Sequence, residues 1–169
     1  MRIMTEPKRL LLRPDDHMPN SPLPVLIYRR AIVPDSNGKA AGFEQLFHDN
    51  DWHGVWRNGI YDYHHFHSTS HEALGIEAGR AQVQLGGASG ELLDVEAGDV
   101  LILPAGTGHR RVTSSLSLSV IGGYPHGQER PDLMRDRNAE ADARIAKVAL
   151  PETDPVMGKA GPLVRIWAA

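Results

Sequence analysis

With 169 residues, 41% of them apolar and 23% charged, the chain is long enough to bury one substantial core and too apolar for disorder. A net charge of -3 with no basic stripe argues against nucleic acid as a partner. The absence of cysteine excludes disulfides and thiolate ligands, so any metal must be held through nitrogen and oxygen.

The opening MRIMTEPKRLLLRPDD carries only a three-leucine run broken by charges and proline, which fits neither a signal peptide nor a membrane span; a cytoplasmic protein with no membrane partner is the expectation. Residues 7–22 are rich in proline, aspartate and asparagine and read as irregular. PVLIYRRAIV (24–33) is a short apolar run with strand composition. PDSNGKA then forms a turn offering Asp35, Ser36 and Asn37 as a helix cap. Phe43, Leu46 and Phe47 fall at the spacing of a short amphipathic helix.

From Trp52 to Tyr124 the texture changes to short strand-like runs separated by glycine-rich punctuation, as in AGR (78–80), GGASGE (86–91), AGD (97–99) and PAGTGH (104–109). Such spacing indicates an all-β sandwich or barrel rather than alternating strands and helices. After Pro131, DLMRDRNAEADARIAKVAL scatters Leu133, Ile145 and Val148 among charges, as a solvent-facing helix does. The tail PETDPVMGKAGPLVRIWAA has too many prolines and glycines for a helix, and its LVRIW end reads as a strand or ordered strap that keeps Trp167 dry. Three segments follow: an N-terminal extension of strand and short helix (1–51), a barrel core (52–125), and a C-terminal helix and strap packing on the barrel (126–169).

One stretch, HHFHSTSHE (64–72), holds four of the nine histidines and ends in a carboxylate. Two readings compete: a metal site on an extended strand, or a histidine-rich polar surface strand. Strand alternation over IYDYHHFHS places Tyr61, Tyr63, His65 and His67 on one face and His64 on the other. Glu72 follows across STS. If 71–76 is extended, Glu72 aligns with Leu74 and Ile76 and faces inward, which leaves His71, an alternative ligand and a candidate pocket residue, as a supporting or outer-face group. His109 follows LILPAGTG, a buried strand with a turn that aims a side chain inward. Tyr61 and Tyr63 read equally as pocket lining or as core aromatics. Arg111 shares the parity of His109 and would anchor an anionic substrate if inward; a surface ion pair is the plainer reading. Gln82 and Gln84 alternate with Val83 and Leu85, and one pair faces in.

These residues resemble the cupin superfamily. Gly59, His65-x-His67, Glu72 and Gly79 match its first motif. Gly98, Pro104-x-Gly106 and His109 match its second, with Thr113 where asparagine is usual. The flanking PLPVLIYRRA, WRNGIYDYHHFHSTSHEALG, GDVLILPAGTGHRR and DPVMGKAGPL resemble the YjlB-type group of small single-domain cupins. The resemblance implies an all-β, double-stranded β-helix (jelly-roll barrel) with short flanking helices. It implies a divalent transition metal (iron, manganese, zinc or nickel) held by His65, His67, Glu72 and His109. A homodimer is also implied, with residues 24–33 as the candidate edge. No reaction is implied, because one barrel hosts many activities. Two functions stand: a metal-dependent enzyme of dioxygenase or isomerase type acting on a small oxygenated molecule, or a non-catalytic binding module for a small molecule or metal.

Overall fold

The computed structural model describes residues 6–169. Nine strands and three short helices follow in order: β1 (Lys8–Leu10), β2 (Val25–Tyr28), α1 (Phe43–Asp49), β3 (Trp52–Asn58), β4 (Glu72–Ala78), β5 (Arg80–Leu85), β6 (Glu91–Glu96), β7 (Val100–Leu103), β8 (His109–Ser114), β9 (Ser119–Pro125), α2 (Ala139–Lys147) and α3 (Pro162–Ala168). Every strand pairing among the described residues is antiparallel. The six-stranded sheet runs β1-β2-β7-β4-β9-β3 and the three-stranded sheet β6-β5-β8. This is the jelly-roll, double-stranded β-helix arrangement expected from the sequence.

Apolar patterning explains how the layers stack. β2 (VLIY) and β7 (VLIL) show no polar alternation because both faces of the large sheet are covered. Val25, Ile27, Leu74 and Leu101 point into the barrel against Val83, Leu85 and Val95 of the small sheet. Leu26, Ala73, Val100 and Ile102 point the other way, against Phe43 and Phe47 of α1, Trp52, and Leu163, Ile166 and Trp167 of α3. The small sheet is covered on one side only, so in β5 Val83 and Leu85 are buried while Gln82 and Gln84 face outward. That settles the parity that composition left open.

Four local expectations are corrected. The chain around HHFH is not a regular strand. Residues 60–71 are irregular apart from single bridges pairing His65 with His109 and Phe66 with Met134. The first helix is preceded not by Asp35, Ser36 or Asn37 but by Gly42 in a left-handed conformation. Asp35 instead closes its own turn, accepting from the Asn37 and Lys39 N–H groups. The tail forms a helix, α3, rather than a strand or strap. Pro162 sits in its first turn, where a missing N–H is harmless, and Leu163, Ile166 and Trp167 share one buried face. The Trp167 indole donates to the Pro24 carbonyl at 2.9 Å. Finally, β2 is not an edge, because β1 pairs along it. The edge is β1, exposed at Lys8 and Arg9, a charged type that discourages pairing.

Candidate metal centre

His65 and His109 come from segments far apart in sequence, and backbone pairing brings them together. The His65 N–H donates to the His109 carbonyl at 3.2 Å, and the His109 N–H returns the bond at 2.9 Å. Their ring centroids lie 4.0 Å apart. His67 follows two residues on, with its carbonyl accepting from the Gly106 N–H at 2.8 Å. Gly106 holds φ at +93°, and a Cβ there would lie 2.6 Å from the Asn20 carbonyl oxygen. The turn that presents His109 therefore requires glycine. Glu72 opens β4 opposite Leu103, the last residue of β7.

The rings are fixed from behind. Nδ1 of His65 lies 3.0 Å from the Tyr63 carbonyl, Nδ1 of His109 lies 3.0 Å from the Thr107 carbonyl, and Nδ1 of His67 is bonded to the Asp132 carbonyl. A carbonyl only accepts, so each Nδ1 carries a proton, and in a neutral ring Nε2 is left with its lone pair. One ligand atom from each histidine lies within 4.8 Å of the other two. The Glu72 carboxylate flanks them, 3.4 Å from His67 Nε2 and 3.3 Å from His109 Nε2.

Electrostatics mark this carboxylate as a buried charge in want of a cation. Burial pushes the Glu72 carboxyl up, but His67 and His109 outweigh it and hold it well below the usual carboxylate range. Burial also pushes His67 down, yet the Glu72 charge reverses the sign and the ring rises to about 9. His65 is driven by burial, with His109 beside it, down to about 3. A proton on His67 thus serves as the counter-charge for Glu72. Neither arginine nor lysine pairs with this carboxylate among the described residues.

The donor set fits a divalent transition metal. Ligands about 2.0–2.2 Å from one ion stand roughly 3–3.5 Å apart, which is the spacing between Glu72 and its two histidines. Imidazole nitrogen with one carboxylate suits borderline cations. Imidazoles anchored through Nδ1–H to carbonyl oxygens have the outer support that metal-binding histidines usually show.

The cluster opens into a cavity of about 690 Å³. Tyr61 and Arg111 line it. Arg111 Nε donates to the Ile60 carbonyl at 3.2 Å and Nη1 to Ser114 Oγ at 3.1 Å. Tyr63 does not line it: its ring stacks on Tyr61, centroids 4.9 Å apart, with the Arg135 guanidinium 4.1 Å above. His71 is also elsewhere. Its Nδ1 accepts from the Ala105 N–H at 2.9 Å, its Nε2 meets the Ala149 carbonyl at 3.2 Å, and its ring packs on Trp167. Burial takes it down to about 4. His64 lies in a separate hollow with Arg110. Another hollow, about 900 Å³, is lined by Arg29, Arg30, Arg80, Glu96 and Asp99 and contains none of the histidines.

Three site residues escaped sequence reasoning. Tyr124 is buried in the cavity wall, accepting from Trp56 Nε1 at 2.7 Å, and burial with Glu72 nearby raises its hydroxyl above the usual range. Trp56 reaches the wall by lying across Gly122, where a Cβ would be 2.0 Å from Trp56 Cε2. Asp132 supports His67 through its carbonyl, and its carboxylate gathers the Ser68 N–H at 2.7 Å, the Ser68 hydroxyl and the Thr69 hydroxyl. Only the strand parity of Trp56 was available as a signal; the other two depend on tertiary return of the chain.

No family model matches the chain. Among solved structures it is similar to acireductone dioxygenase from Bacillus anthracis with a cadmium ion in its active centre, at 16% identity over 64% of this chain and 82% of that one, TM-score 0.43. It is also similar to a conserved protein with a double-stranded β-helix domain from Klebsiella pneumoniae, at 14% identity over 79% and 89%, TM-score 0.38. Overlaps this loose carry no argument about chemistry. Sequence comparison is firmer: over 158 residues the chain is 35% identical to "Uncharacterized protein YjlB" of Bacillus subtilis (strain 168), covering 91% of this chain and 93% of that protein. With that relationship, the jelly-roll fold and both histidine motifs in place, the chain belongs to the YjlB-type small cupins.

Proposed function

We propose that this protein is a divalent-metal-dependent enzyme acting on a small oxygenated molecule, by dioxygenase- or isomerase-type chemistry. His65, His67, Glu72 and His109 would hold the ion. The observation that carries the reading is the convergence of three carbonyl-anchored imidazoles and a buried carboxylate at the wall of a cavity of about 690 Å³. When bound, a cation of this class supplies Lewis-acid polarisation of an oxygen or, if redox-active, a route to oxygen chemistry.

The chain's own residues would do the rest. Glu72 neutralises part of the ion's charge and the three rings stay neutral, so the site keeps a net attraction for an anionic or enolic oxygen. Arg111 adds positive charge on the cavity wall. The Tyr124 hydroxyl offers a proton toward the cavity, and the Trp56 N–H that it accepts fixes its direction. Walls supplied by Ile60, Leu74 and Leu118 keep that region apolar and size-limited.

Elemental analysis of protein purified without added metal, followed by a screen of keto-acids, diketones, catechols and sugars with and without air, tests the reading. The expected result is about one transition-metal ion per barrel and turnover that chelation abolishes. Tight binding of a screened compound with no turnover under either atmosphere would identify a binding module instead. Unchanged metal content in H65A and H109A would remove the ligand assignment.

A further inference from the structure

Three histidines outside the barrel form a second cluster with a carboxylate, on the surface where β3 begins and β9 ends. His53 Nε2 lies 2.7 Å from Asp51 Oδ1, and His126 Nδ1 lies 3.5 Å from the same oxygen. One ligand atom from each of Asp51, His53 and His126 lies within 4.8 Å of the others. His48, at the end of α1, stands beside them with its ring centroid 5.2 Å from that of His53.

Backbone features hold this arrangement in place. The His126 N–H donates to the Asp51 carbonyl at 3.1 Å, extending the β3–β9 ladder by one step so that the two residues face each other. Asp51 adopts a left-handed φ of 65°, which a non-glycine residue takes up at a cost. The β3–β9 register shifts between His53 and Trp56, an irregularity of the kind that re-aims a side chain. His53 follows the fully buried Trp52, and its side chain is 28% exposed. A plain surface ion pair needs none of this convergence, and it would not recruit a second and third imidazole.

We infer that Asp51, His53 and His126, with His48 alongside, form a second metal site for a borderline divalent cation such as zinc, separate from the barrel cluster and not dependent on it. One carboxylate oxygen and imidazole nitrogens are the ligands such an ion prefers. The ion would tie the start of β3 to the turn after β9.

Zinc alone is the probe. The full-length protein and the double variant D51N/H126Q, both metal-stripped and refilled, are compared by equilibrium dialysis and elemental analysis. The variant is expected to hold about one zinc ion fewer per chain and to lose the part of the cobalt(II) absorption spectrum that belongs to this site. Both substitutions are at exposed positions, and an unchanged thermal midpoint in the absence of metal verifies folding. Equal zinc content in the two proteins overturns the inference. Failure of the barrel reading has a different signature: the wild type would hold one ion and the variant none.

Discussion

The two histidine clusters use the same ligand chemistry on different foundations. Inside the barrel His65 and His109 are 3% and 4% exposed, and each of the three rings is pinned through Nδ1 by a backbone carbonyl. On the surface the His126 side chain is 76% exposed, strand pairing fixes its backbone, and no backbone carbonyl among the described residues holds its ring, which stands 3.5 Å from Asp51 Oδ1. The interior site has met its ordering cost during folding. The outer one meets it on binding, at about 0.5–1.5 kcal/mol for each immobilised side chain. If both proposed sites take an ion, preorganisation rather than ligand type would set the affinity order, with the barrel binding first and holding longer.

The largest expected effect is on the barrel ion. H109A should weaken it by more than about a hundredfold, beyond the 10–100-fold typical of changes to supporting residues. Competition with a chelator measures this, and D51N/H126Q should leave the barrel affinity unchanged. Next is His71, a buried histidine a single residue from Glu72 that belongs to neither cluster. H71A should cost about 1–3 kcal/mol in urea unfolding, because the Ala105 N–H loses its buried acceptor, while barrel metal content stays the same.

His71 also predicts an acid limit. Its folded value near 4 lies below the ordinary 6.5, so the unfolded chain takes up the proton first. Stability is therefore full above about pH 6.5 and falls as pH drops toward 4, by about 1.4 kcal/mol per pH unit for one such group. H71L should flatten that slope. Removing the Asp132 support is smaller: D132A should weaken the barrel ion about tenfold, because Ser68 and Thr69 lose the carboxylate that positions the carbonyl behind His67. The smallest effect belongs to the surface: without metal, D51N should change stability by less than about 1 kcal/mol, as exposed pairs do.

Local pattern carried much of this. Glycine punctuation gave the strand succession from 52 to 124, and Phe43, Leu46 and Phe47 gave α1. Motif spacing singled out the four barrel residues that the structure brings together. What escaped depends on distant returns of the chain. HHFH reads as a strand because alternation cannot reveal that its neighbours offer only isolated bridges, yet the predicted parity of His64 against His65 survives, since a bridge fixes side-chain direction as a ladder does. The tail's prolines and glycines masked α3 because Pro162 lies in its first turn and the helix is seven residues long. Tyr124 and Asp132 gave no local signal, as their importance comes from what folds against them. The surface cluster was invisible for the same reason, with His126 brought to Asp51 only by the register of β3 on β9.

Trp56 lies on Gly122 so closely that the indole fills the space where any other residue would begin. Alanine at that position would push the ring off its strand toward the chamber it borders, reducing capacity and disturbing the Trp56–Tyr124 hydrogen bond while leaving the histidines in place. The width of the chamber is thus set from behind its wall, by an absent methyl, with no histidine involved.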